Sequence, residues 1–436
     1  MKEKIVVIGG GISGLTAAHK LSKDGFQVTL IESSDRLGGL GTYFNYNGKW
    51  VDKFYHCQMP SDAPLLDLIE QVGLSGQLYW KNTRMGFIVD GKRYAFNGAL
   101  DLLKFSPLKF FQRIRFGIAS LMIRHLGKGI DLDNTRIEDW FIKLYGKDVW
   151  EKILQPLFRS KFGSHAGNLP ALYIWERLGR EKNTAKRGYL KTGLKGLIDS
   201  LEEKIRSYNG KILLNTRVIK IDQVNDKMTL RLDNNELLEC DWVISTAPIS
   251  ILANMLEDSS LDKDFNNPNL TYQGVVNALF FLKKPLDNFY WQPVVNSNTE
   301  FDGVVEMSEL VNIEQYNNRY LVYVMKYCSK DSELFKEEAG NIALRWKEQL
   351  KTLFKDIPLT DDDITDVKIF KAPYVEPVYP LGYSKIKPEI RVGNSKLLLA
   401  SSAQVYPTIT SWNSSVRLAN NVVDNLKNLI ANGKNE

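Results

Sequence analysis

Three glycines, a carboxylate and an arginine near the start of the chain have the types and spacing to hold a nucleotide diphosphate. Gly9, Gly11 and Gly14 follow the apolar run Ile5-Val6-Val7-Ile8, which reads as a strand covered on both faces. Gly9 permits a tight turn, Gly11 lets the backbone approach a pyrophosphate, and Gly14 lets the next helix sit close to the strand. That helix is predicted from Ile12 to Lys23, so the N–H groups around Ile12 and Ser13 and its positive dipole end face the anion. A second strand, predicted over Gln27–Ile31, ends at Glu32, eighteen residues beyond Gly14. This is close to the spacing of a carboxylate that takes hydrogen bonds from ribose hydroxyls and repels a 2′-phosphate, which disfavours NADP.

The unit continues as Glu32-Ser33-Ser34-Asp35-Arg36-Leu37-Gly38-Gly39. Two glycines let the chain pass beside a second ring system, and Arg36 can face the pyrophosphate or lie solvated on a surface turn. The whole unit resembles the E-x-x-x-R-x-G-G extension of the flavoprotein superfamily of amine oxidases, phytoene desaturases and protoporphyrinogen oxidases. The resemblance is sharp between Ile5 and Gly39 and looser over nearly all of the remaining chain. It implies FAD, held by the glycines with Ile12, Ser13, Glu32, Ser33, Arg36 and Leu40.

The implied fold is α/β, with a discontinuous Rossmann-type FAD-binding domain, a mixed α+β substrate domain and a helical lobe. Its expected boundaries are 1–80, 191–250 and 391–436 for FAD binding, 81–190 for the lobe, and 251–390 for the substrate sheet. Val218 matches the position whose backbone meets the adenine, and Ala247 lies in a stretch like that beside the adenosine half. Where the superfamily usually carries Gly-Asp or Gly-Glu against the ribityl chain, this chain has Ser401-Ser402. Ser402 retains hydrogen-bonding capacity without charge, and Thr410 and Ser411 can cap the helix facing the ring. Asp52 to His56 resembles the passage beside the isoalloxazine. His56 there is a proton donor, a substrate contact or a hydrogen-bonded structural residue.

At 436 residues the chain exceeds what one growing core supports, so more than one domain is expected. The net charge of +6, from 57 basic and 51 acidic residues, is too mild to indicate nucleic acid, and no motif for it is present. Cys57, Cys240 and Cys328 are scattered and odd in number, unlike a disulfide framework or a C-x-x-C metal or redox site. Reduced thiols, an immediate first strand with no room for a signal peptide, and no eighteen-residue apolar run make a cytoplasmic protein the expectation. Disorder is expected only in the tail from about Asn432.

Helices are predicted from Pro64 to Val72, Ile137 to Tyr145 capped by Thr135, Lys147 to Leu154 with a break at Pro156, and Thr192 to Asn209. Met85 to Phe96 alternates around Asp90-Gly91, a hairpin expected to begin an added lobe. Trp150 to Gly163 looks like the helical lobe of a bacterial protoporphyrinogen oxidase-like branch. From Leu102 to Ile130 there is no acidic residue, yet there are six Lys or Arg, at 104, 109, 113, 115, 124 and 128. A helix starting near Ser106-Pro107 would carry Phe111, Ile114, Ile118, Leu121 and Met122 on one side. Such a helix either lies on an anionic membrane surface, at the inner face and near a lipid-linked substrate, or packs into the lobe with its cations solvated. Packing is the expectation, because most surface helices are amphipathic.

Tyr290, Trp291, Tyr316, Tyr320, Tyr323 and Tyr327 suggest a pocket for an apolar or ring-shaped small molecule, or else a core. The leading expectation is an FAD-dependent oxidoreductase accepting a hydride from a C–H bond beside nitrogen or between carbons being desaturated. One alternative is a redox-neutral enzyme like UDP-galactopyranose mutases, with Arg93, Arg113 or Arg159 holding a diphosphate. Another is a non-enzymatic lipid-binding escort like GDP-dissociation inhibitors. Substrate, electron acceptor and oligomeric state are not readable from the sequence.

Overall fold

The computed structural model describes residues 2–180 and 185–432, and the side chains of 178–180 fall outside it. The tail beyond Asn432, expected to be disordered, also lies outside the described residues.

The first strand, Lys4–Ile8, is the centre of a five-stranded parallel sheet. The order is Leu397–Leu399, Trp242–Ser245, Lys4–Ile8, Gln27–Ile31 and Lys211–Leu213. Ile5 to Ile8 are all buried, as an unbroken β-branched run requires. The first helix, Ile12–Lys23, and the last, Trp412–Asn432, pack together on one face with Gly193–Ser207 beside them. A Cβ on Gly14 would sit 1.9 Å from the Gly9 carbonyl oxygen, so only glycine lets this helix lie so near the strand. Gly9 itself turns at a φ of 101°.

A second sheet has seven strands. Its order is Ile364–Val378, Thr271–Leu282, Tyr320–Cys328, Gly303–Glu306, Trp291–Val295, Gly86–Val89 and Lys92–Ala95. Thr271–Leu282 is apolar on both faces. Val276, Ala278, Phe280 and Leu282 pack with Trp346 of helix Ala339–Leu353, whereas Val275, Leu279 and Phe281 join Val51 and Tyr189 on the other side. The Met85–Phe96 hairpin forms as its Asp-Gly turn directs, with Asp90 and Gly91 both at positive φ. It does not open a lobe. Gly86–Val89, whose residues are all buried, pairs with Trp291–Val295, and Lys92–Ala95 finishes the edge of this sheet.

Helices Phe110–Leu126, Ile137–Tyr145, Gln155–Phe162 and Ala171–Arg180 make a helical lobe. Three local readings need correction. Helix Ile137–Tyr145 follows Arg136, while the Thr135 hydroxyl donates to the Asp131 carbonyl at 2.7 Å rather than capping. Pro156 does not break the chain, since it sits in the first turn of its helix, where its missing N–H costs nothing, and Trp150–Leu154 feeds into it as a π-helical turn. The basic helix begins at Phe110 rather than Ser106, with Gln112 accepting the Lys109 N–H at 2.8 Å.

Its packing is also the reverse of the expectation. Ala119 and Ile123 face the lobe, while Phe111 and Leu121 are 84% and 85% exposed, with Ile114, Ile118 and Met122 exposed beside them. No helix among the described residues is long and apolar enough to cross a membrane.

Candidate functional site

A cavity of about 1300 Å³ runs from the first glycine turn to the underside of the seven-stranded sheet. Gly9, Gly11, Ile12, Ser13, Glu32, Ser33, Gly38, Gly39 and Leu40 line its nucleotide end. Val218, Ala247, Ser402, Thr410 and Ser411 lie along its length. Gly14 lies behind the wall, where it brings helix and strand together.

The helix start supplies main-chain donors that have no intrahelical acceptor. A Cβ on Gly11 would meet nothing nearer than the Gly39 Cα at 3.9 Å, so this glycine borders open space. One on Gly39 would press to 3.0 Å on Gly11 Cα, which shows how closely the two backbones pass. Glu32 does more than end its strand. Its carboxylate accepts the Gly10 N–H at 2.6 Å and the Ser34 N–H at 2.8 Å, so it braces the glycine turn from below.

Arg36 lies elsewhere than the pyrophosphate reading required. Its guanidinium pairs with Asp35 at 2.6 Å, donates to the Tyr43 carbonyl at 3.1 Å, and is absent from the cavity wall. A carboxylate one residue away captures it first.

Farther along, Ser402 donates to the Tyr272 hydroxyl at 3.4 Å and lines the cavity, while its neighbour Ser401 is buried behind it. Ser411 accepts the Ser414 N–H at 3.2 Å, the capping bond expected of it, and places the last helix's N-terminus at the wall. His56 is in the wall as well. Its Nδ1 meets the Phe54 carbonyl at 3.0 Å, its ring lies 5.4 Å from that of Trp412, and burial pushes its pKa down. Burial thus favours the uncharged form of this hydrogen-bonded imidazole.

The far end is walled by Tyr55, Tyr290, Trp291 and Tyr327 with Met85 and Met325. Tyr316 and Tyr323 belong to the core instead, and Tyr320 is not in the wall. Sequence reading missed the polar groups here. Lys161 pairs with Glu376 at 3.1 Å, and Tyr173 donates to the same carboxylate. Arg187 lies over the Tyr290 ring, 4.7 Å from its centroid, and donates to Thr83. Asn277 donates to the Lys53 carbonyl at 2.8 Å and fixes the passage leading to His56. A detectable signal existed for Asn277: an amide set in the apolar run 275–282. Beneath the same passage, burial pushes the Asp52 carboxyl up to about 7 while Tyr189 donates to it, and Tyr323 donates to its carbonyl at 2.8 Å.

Open glycines, main-chain donors, a carboxylate at the second strand and an elongated cavity fit a dinucleotide such as FAD. Among the described residues no cluster of His, Cys, Asp or Glu could hold a metal ion.

Comparison with known proteins agrees. Residues 12–416 match the family described as flavin containing amine oxidoreductase. The chain is 24% identical over 433 residues to 15-cis-phytoene desaturase of Arabidopsis thaliana, covering 88% of this chain and 74% of that protein. It is 26% identical over 302 residues to flavin-containing amine oxidase A of Sus scrofa, covering 64% of this chain and 56% of that protein, so it spans little more than half the length of this relative. Reduced UDP-galactopyranose mutase shares the fold with a TM-score of 0.77 at 16% identity, over 98% of this chain and 96% of that one. The chain belongs to the flavin containing amine oxidoreductase family and is an FAD-dependent oxidoreductase.

Proposed function

We propose that the chain oxidises an apolar or ring-bearing small molecule at a C–H bond next to nitrogen or between carbons being desaturated. FAD supplies the hydride acceptor when bound, and a second substrate restores it. The observation that carries this reading is one continuous cavity with a glycine cradle at one end and Tyr55, Tyr290, Trp291 and Tyr327 at the other. Those rings give an apolar substrate its contacts and exclude water from the reacting bond. His56, whose charged form burial disfavours, can orient a substrate through its ring nitrogen. Lys161 and Glu376 offer a polar terminus that selects substrates with a hydrogen-bonding end.

The mutase alternative is less well supported by the arginines chosen for it. Arg93 is paired with Asp287 and Asp356, Arg113 donates to the Leu103 and Leu108 carbonyls, and neither these nor Arg159 lines the cavity. A non-enzymatic escort would not need a braced glycine turn open to the cavity.

The test is anaerobic absorbance of the purified yellow protein during titration with amines, polyenes and porphyrinogens. Bleaching by a member of one class supports the proposal and names the class. Turnover only after chemical prereduction, with a nucleotide sugar, would replace it by the mutase reading.

A further inference from the structure

The described surface carries one large apolar face that the redox site does not use. Helices Ala99–Lys104 and Phe110–Leu126 pack together, with Leu102 against Gly117. Outward they present Leu100 at 73% exposure with Leu103, and then Phe110, Phe111, Ile114, Ile118, Leu121, Met122 and Leu126. In the long helix these residues fall within about half of the circumference at 100° per residue, and the opposite half carries the buried Ala119 and Ile123. Soluble surfaces rarely leave so many large side chains together in water.

The charge on this face is mostly positive, with Asp101 the one carboxylate in the two helices and Asp148 accepting from Gln112 at 3.1 Å beside them. From Leu102 to Ile130 no carboxylate occurs, and Lys104, Lys109, Arg115 and Lys128 are exposed along it. We propose that these two helices seat the protein on an anionic lipid bilayer, with the apolar side chains in the acyl boundary and the cations among the headgroups. A second copy of the chain fits this surface poorly. A two-fold interface would lay the same cations against one another with only Asp101 of the two helices to meet them. An anionic membrane satisfies both the apolar area and the charge. The seat is joined to the cavity, since Arg124 lies 3.7 Å from the Trp175 ring centroid, and the helix Ala171–Arg180 that carries Trp175 also places Arg177 in the cavity wall.

The experiment is co-sedimentation of the purified full chain with phosphatidylcholine vesicles, with and without phosphatidylglycerol, at low and high salt. Binding is expected with phosphatidylglycerol and weakened by salt. The double variant Phe111→Glu, Leu121→Glu should bind about tenfold less or weaker still, with unchanged FAD content and melting temperature, because both side chains are solvent-exposed. Wild-type protein that stays in the supernatant at low salt, or a double variant that binds equally well, overturns the proposal. So does a chain that is dimeric in the ultracentrifuge, becomes monomeric in the double variant and ignores vesicles, which would give this face to a second copy.

Discussion

The carboxylate of Glu32 accepts the main-chain N–H of Gly10 at 2.6 Å, so the acid closing the second strand also holds the middle of the glycine turn. Replacing Glu32 by Ala removes a charged acceptor from two main-chain donors, at about 1.5–3 kcal/mol for such a bond. The expected outcome is a chain that folds but loses most of its FAD on gel filtration, while Glu32→Gln retains more. Equal flavin content in both variants and wild type would show that Glu32 does not shape the nucleotide end.

Gly11 and Gly14 should fail in different ways. A side chain on Gly11 projects into open cavity, whereas one on Gly14 meets the Gly9 carbonyl oxygen at 1.9 Å. Gly11→Val is expected to give a colourless protein with a cooperative melt close to that of the flavin-free wild type. Gly14→Ala should lower stability by about 3 kcal/mol, because the helix must be pushed off its strand. Denaturant melts of both variants in the flavin-free state check this.

Lys161 and Glu376 meet at the far end of the cavity, with Glu376 only 3% exposed. Lys161→Met strands a buried carboxylate, and a loss of about 3 kcal/mol is expected. Adding Glu376→Gln should recover part of that loss. Additive single effects in this cycle would mean that the two side chains do not support each other.

Glu306 is buried, and desolvation pushes its carboxyl up to about 8 although the Leu286 and Asp287 N–H groups donate to it. An acid whose pKa is raised on folding binds a proton in the folded state that the unfolded state releases. Stability therefore falls with rising pH between the unfolded value near 4.5 and about 8, with a slope of up to about 1.4 kcal/mol per pH unit. Glu306→Gln should remove this contribution and leave the slope that Asp52 adds up to about 7, as judged by denaturant melts at intervals across the window. A wild-type profile that rises over the same range and is unaltered by the substitution would contradict the assignment.

The nucleotide end was legible because its determinants are local: an apolar run, three glycines and an acid fix a strand, a turn and a helix without help from the rest of the chain. Arg36 was misread for an equally local reason, since sequence patterns do not tell which of several anions an arginine meets, and Asp35 is adjacent. The Phe110–Leu126 helix shows a deeper limit. Amphipathic spacing identifies two faces but not which one the fold covers, and here Ala119 and Gly127 turn inward beside Ile123 and Phe116 while Phe111, Ile114, Ile118, Leu121 and Met122 remain outside. The Lys161–Glu376 pair joins positions far apart in sequence, and nothing near either residue announces the other.

The parallel sheet has one more consequence, for the order of events in the cell. In chain order the helix Trp412–Asn432 is made long after Ile12–Lys23, on which it packs, and Leu397–Leu399 is made long after Trp242–Ser245, its neighbour in the sheet. The Lys4–Lys23 βα unit must therefore wait until Trp412–Asn432 has been made for its helix partner, so the nucleotide cleft is finished late in synthesis. Nascent chains stalled before Leu397 should accordingly capture no flavin.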